Sequence, residues 1–137
     1  MAALISEPAA NDVRRLLKSH EDPARISAVN VAEAVDSISR LQGWPSQDVV
    51  EKLRWLVVGG MIVEPVTESL AFDAAALRTR HYHRERRPIS IPDCIALALA
   101  LDFDDRLATS DPALLETARA ENCRVVVLPD SQGRIAD

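Results

Sequence analysis

The stretch Ile95-Ala-Leu-Ala-Leu-Ala-Leu101 is apolar on every side of the helix it would form. A helix without a polar face has to be covered all round, so it belongs inside a layered domain. Ser90 stands where an N-cap would and starts a helix over 91–101. Any fold for this chain has to bury that helix.

The rest of the chain alternates short apolar runs with amphipathic ones. Strands are predicted over 25–29, 61–66, 106–110 and 125–128. Between them lie segments with apolar residues at helical spacing. Asn11 is predicted to cap a helix that turns Val13, Leu16 and Leu17 inward, after an apolar, helix-compatible run over 1–6. Asn30 caps the next, with Ala34, Val35, Ile38 and Leu41 on one face and Gly43 as its stop. Ser46 caps a partner carrying Val49, Val50, Leu53, Leu56 and Val57, ended by Gly59-Gly60. Thr67 starts a helix with Leu70, Ala74 and Leu77 aligned, and a last helix covers 112–120. Trp44 and Trp55 are expected to pack within the helical hairpin formed by the second and third of these helices. Strands alternating with helices imply an α/β fold with a mainly parallel sheet covered on both faces.

The chain has 137 residues, one domain's worth. Two cysteines, Cys94 and Cys123, suggest neither a disulfide framework nor a zinc site, so a reducing cytoplasm is the expected setting. No apolar run approaches the roughly 20 residues of a membrane span. The net charge of −5 argues against a nonspecific nucleic-acid coat protein. Yet Arg78, Arg80, Arg84, Arg86 and Arg87 crowd one segment with His81 and His83, opposed locally by Glu85 alone. Of the 16 basic residues 14 are arginine, the side chain best matched to bidentate phosphate contact. The segment is either an RNA-backbone contact or a solvated loop.

Three acids, Glu33, Asp93 and Asp111, each follow a short apolar stretch where a helix should begin. In open α/β sheets that edge is where ligands bind. Clustered carboxylates suit a hard divalent cation and, with it, phosphate chemistry. Each acid also has a capping explanation. Glu33 lies three residues after Asn30 and Asp93 three after Ser90, the capping-box spacing, while Asp111 precedes Pro112 as an N-cap would. The two roles are compatible, because a helix N-terminus favours an ionised carboxylate. Asp102, Asp104 and Asp105 read as turn residues. His20, His81 and His83 lack metal-ligand spacing, and with four glycines there is no phosphate-binding glycine loop.

Taken together, Ile26-Ser-Ala-Val-Asn-Val-Ala-Glu33, Ile89-Ser-Ile-Pro-Asp93-Cys-Ile-Ala-Leu-Ala-Leu-Ala and Leu107-Ala-Thr-Ser-Asp111 resemble the PIN-domain ribonucleases of the VapC toxin type. The helical hairpin and the closing Val125-Val-Val-Leu128 strand fit as well, so the resemblance covers nearly the whole chain. It implies a single PIN-like three-layer domain over 1–137, with a mainly parallel central sheet and the hairpin as an insertion. It implies metal-dependent endoribonuclease activity with Mg²⁺ or Mn²⁺ held by Glu33, Asp93 and Asp111, which match the family's second, third and fourth acids. Thr109 matches a supporting hydroxyl residue. The implied partners are an RNA substrate, a cognate antitoxin and a second copy of the chain, in the cytoplasm and away from membranes.

The family's opening strand and first aspartate have no counterpart in Met1-Ala-Ala-Leu-Ile-Ser-Glu-Pro8, which resembles the later part of the following helix. The expectation is either a start upstream or an impaired relative, for which the alternative function is an inactive PIN-like module binding RNA or an antitoxin. An α/β phosphatase or phosphoacceptor domain also uses carboxylates and Mg²⁺, but it places its key aspartate after the first strand, so nothing here supports that reading positively.

Overall fold

The structure, a computed structural model, describes residues 10–18 and 22–137. The chain divides into two compact units, Met1–Pro65 and Val66–Asp137. The expected apolar helix over 1–6, and with it the question of a first strand and aspartate, lies outside the described residues.

In the first unit, helix α1 covers Ala10–Leu17, so Asn11 sits inside it and does not cap it. Strand β1, Arg25–Ser27, runs parallel to β2, Ile62–Glu64, with Ile26 opposite Val63. An ion pair of 2.5 Å between Arg25 and Glu64 ties the two strands together. Helix α2, Ala28–Gln42, and helix α3, Ser46–Val58, form the expected hairpin. Its core is Ile38, Val49, Leu53 and Met61, with Leu17, Ile26, Val35, Trp44 and Leu56 packed against them. Gly43 closes α2 at φ 69°, a left-handed conformation that costs glycine little, and its N–H donates to the Ser39 carbonyl.

Three local expectations change here. The strand stops at Ser27, because that hydroxyl accepts from the Asn30 N–H and makes Ser27 the N-cap of α2. Asn30 is therefore the third residue of the helix, and its carboxamide oxygen accepts from the Ser27 hydroxyl at 2.6 Å. Ser46 is the first residue of α3 behind Pro45, which has no side chain able to cap. Trp55 is 68% exposed, since it projects from the side of α3 opposite the buried Leu53. Leu41 and Val57, in the last turns of their helices, are also exposed and do not join the core.

In the second unit, the Thr67 hydroxyl accepts from the Leu70 N–H and starts α4, Glu68–His81, which buries Leu70, Ala74 and Leu77. Helix α5, Ile91–Asp102, buries Cys94, Ile95, Leu97, Ala98, Leu99 and Ala100, as its all-round apolarity demands. Its two ends, Ile91 and Leu101, emerge to solvent. Strand β3, Arg106–Thr109, crosses through α6, Pro112–Ala120, to the parallel strand β4, Arg124–Val127. Helix α6 lays Leu114, Leu115, Thr117 and Ala118 inward. The alternation of strand and helix is thus α/β with parallel pairing, as read from the sequence. Among the described residues the strands pair as β1 with β2 and as β3 with β4. Each strand is only three or four residues long, which limits its pairing.

Candidate active site

Asp93 and Asp111 owe their positions to the helices they start. Asp93 is the third residue of α5 and forms a capping box with Ser90. Its N–H donates to Ser90 Oγ at 3.1 Å, while its Oδ2 accepts from the Ser90 N–H and from Ser90 Oγ, both at 2.7 Å. The two bonds on the carboxylate hold the side chain close to the helix mouth, and both fall on one oxygen. Asp111 is the N-cap of α6, where its Oδ1 accepts from the Leu114 N–H at 3.0 Å. Pro112 follows it at the first helical position, which has no N–H to satisfy. Thr109, at the end of β3, accepts the Asp111 N–H on its Oγ1 at 3.1 Å. The hydroxyl therefore shapes the turn that presents the carboxylate.

The capping role of both aspartates is thus real, and it leaves one oxygen of each carboxylate outside these helix-terminal bonds. Glu33 differs. With Ser27 as the cap, Glu33 is the sixth residue of α2 and takes no part in a capping box. It lies on the exposed surface of the second helical turn. The capping explanation fails for this residue, because the strand ends at Ser27 and not at Val29, so the helix begins earlier than expected. Among the described residues no three His, Cys, Asp or Glu side chains are gathered as a metal site.

Cys94 is fully buried, and burial first, then the neighbouring Asp93 charge, push its thiol up to about 11. Burial likewise raises the Cys123 thiol.

The arginine segment divides into two classes. Arg78 donates from Nε to the Ile89 carbonyl at 3.1 Å and lies 4.2 Å from the centre of the Tyr82 ring. Arg80 and His81 both meet Glu121 Oε1, at 2.9 and 2.5 Å. Arg87 pairs with Glu116 and also reaches His81 Nδ1 at 2.9 Å. The hydrogen bond from His81, followed by that from Arg80, holds the Glu121 carboxyl below its ordinary range. Arg87 does the same to Glu116. The side chains of Arg84 and Arg86 are exposed and make no hydrogen bond or ion pair among the described residues. The segment's cations are therefore opposed by Glu116 and Glu121, not by Glu85 alone. Those two partners sit on or just after α6, some 29 to 41 residues away, and no local spacing pointed to them.

Among the described residues no helix is long and apolar enough to cross a membrane. Comparison with curated proteins gave no match. The PIN domain family matches residues 1–120, across both units, and the chain belongs to that family.

Proposed function

Starting from membership of the PIN domains, which are in general divalent-metal-dependent nucleases, we propose that this chain is an endoribonuclease of the toxin–antitoxin type. In this reading residues 1–137 act as one three-layer domain with the α2–α3 hairpin as its insertion. Its substrate is RNA, and its partners are an antitoxin and a second copy of the chain in the cytoplasm.

The observation that carries the reading is the pair of aspartates at helix mouths within the matched region. Asp93 and Asp111 are oxygen donors of the kind Mg²⁺ and Mn²⁺ prefer. Each is oriented by helix-terminal hydrogen bonds on one oxygen, with the other outside those bonds. Glu33, an exposed residue of α2, joins them on the strength of the resemblance. A divalent ion bound there would supply a water activated for attack on phosphorus and a counter-charge for the departing oxygen. The chain's own part is positional. Ser90 fixes the Asp93 rotamer, and Thr109 fixes the backbone that carries Asp111.

The test is incubation of end-labelled single-stranded RNA with the purified chain in Mg²⁺, in Mn²⁺ and in EDTA. Cleavage confined to the metal-containing reactions, and lowered on the order of 100-fold or more by Asp93→Asn, supports the nuclease. RNA binding without cleavage in either metal would instead favour the inactive binding module. Cleavage undiminished in Asp93→Asn would remove that residue from the proposed machinery.

A further inference from the structure

The exposed part of the arginine segment is a built turn. His83 and Arg87 form an antiparallel bridge, the His83 N–H donating to the Arg87 carbonyl at 3.0 Å and the Arg87 N–H to the His83 carbonyl at 2.9 Å. Inside the turn, His83 Nδ1 accepts from the backbone N–H groups of Glu85 and Arg86, both at 3.2 Å. One ring nitrogen thus satisfies two donors that the turn would otherwise leave to water. The far side is fastened by Arg87 to Glu116 and His81. What remains at the tip is Arg84 and Arg86, exposed on either side of Glu85. Next to the turn stands Tyr82, 45% exposed, with Arg78 stacked over its ring.

We propose that this turn is a preformed clamp for the phosphates of single-stranded RNA, with Arg84 and Arg86 binding, Tyr82 stacking a base and His83 positioning the clamp. The proposal rests on the ribonuclease reading and narrows its RNA contact from five arginines to two. Guanidinium groups hold phosphate oxygens in a fork that lysine cannot reproduce. A turn already closed by four backbone-donor hydrogen bonds needs little further ordering when a ligand arrives. An exposed aromatic beside exposed arginines favours nucleic acid over an acidic peptide, because bases present flat faces to stack. Arg78, Arg80 and Arg87 are already engaged within the protein, and their role is to hold the segment in place.

The experiment is fluorescence anisotropy of the full chain with a labelled single-stranded oligoribonucleotide in EDTA, so that binding is read without cleavage. The Arg84→Ala, Arg86→Ala double variant should bind about tenfold more weakly per arginine removed. Its log–log salt dependence should flatten by about 1.4, at about 0.7 per phosphate contact. Its thermal melt should be nearly unchanged, since neither side chain makes a hydrogen bond or ion pair among the described residues. Tyr82→Ala should weaken binding without changing the salt slope. His83→Ala should weaken it too, and His83→Asn should restore it, because asparagine also accepts backbone N–H groups in tight turns.

An unchanged affinity and salt slope in the double variant would overturn the clamp while leaving the nuclease reading intact. Displacement of the RNA by polyglutamate at equal charge concentration would also overturn it, in favour of an acidic protein partner. Loss of binding in the double variant, with no metal-dependent cleavage by the unaltered chain, would uphold the clamp and sink the nuclease.

Discussion

Ser90 and Asp93 cap one another: the Ser90 hydroxyl accepts the Asp93 N–H at 3.1 Å, and Asp93 Oδ2 accepts the Ser90 N–H at 2.7 Å. This reciprocal pair starts the helix that carries the largest share of the second unit's buried core. It also gives Asp93 two separable jobs, one in the fold and one in the proposed chemistry. Asn retains an acceptor oxygen, so Asp93→Asn should keep the melting free energy within about 1 kcal/mol of the unaltered chain. Ser90→Ala removes the cap and should cost about 0.5–2 kcal/mol. Chemical denaturation of both variants checks this. A large loss in Asp93→Asn would mean that its activity cannot be read apart from its stability.

A second prediction concerns acid. Glu121 accepts from His81 and Arg80, and its carboxyl is held below the ordinary value of 4.5. A carboxyl lowered in the folded state contributes stability that is fully present above its unfolded value. That contribution is lost as pH falls through the lower, folded value. Denaturation midpoints should therefore fall as pH drops below about 4.5, and Glu121→Gln should show a shallower fall. At neutral pH the same variant should cost only about 0.5–1 kcal/mol, because the pair is partly solvated. An equal acid sensitivity in the variant would assign the effect to other groups.

The buried helix makes a third prediction. Leu97 is fully enclosed, and Leu97→Ala should destabilise by about 2–5 kcal/mol. Trp55→Ala should change stability by less than about 0.5 kcal/mol despite the larger side chain lost, since Trp55 stands in solvent. Urea titration of the two variants measures the contrast. A Trp55→Ala loss as large as that of Leu97→Ala would show that Trp55 is covered in solution.

A fourth concerns the thiols. Cys94, fully buried and shifted to about 11, should resist alkylation under native conditions at neutral pH. Cys123, also buried and raised, should behave alike. Both should label promptly in urea. Rapid native labelling of Cys94 would mean that α5 opens readily.

These predictions mark how far the chain could be read from its residues. The helix with no polar face announced its own burial, and Ser90, Thr67 and Asp111 were recognisable as caps because capping chemistry is local. Errors came where two local solutions competed. Ser27 and Asn30 are both good caps, and the one that ends the strand decides whether Glu33 is a helix-mouth residue. Amphipathic spacing placed Leu53 correctly, but it did not separate Trp55 from the buried side of the same helix. The partners of Arg80 and Arg87 were not legible, because ion pairs between segments 29 and 41 residues apart leave no local signature. Nor did residue spacing reveal that His83 would close its own turn. For the candidate site, the residues suggested three acids, and the structure adds the hydrogen bonds that orient Asp93 and Asp111.

The central proposal is that Asp93 and Asp111 hold a divalent ion, with Glu33 added on the strength of the resemblance. Calorimetric titration of Mn²⁺ into the purified chain and into Glu33→Gln, Asp93→Asn and Asp111→Asn tests it without relying on any RNA. The account predicts one saturable site in the unaltered chain and a loss of about tenfold or more in affinity for each variant, since each removes one charged oxygen ligand. Mn²⁺ affinity in Asp93→Asn equal to that of the unaltered chain would contradict it.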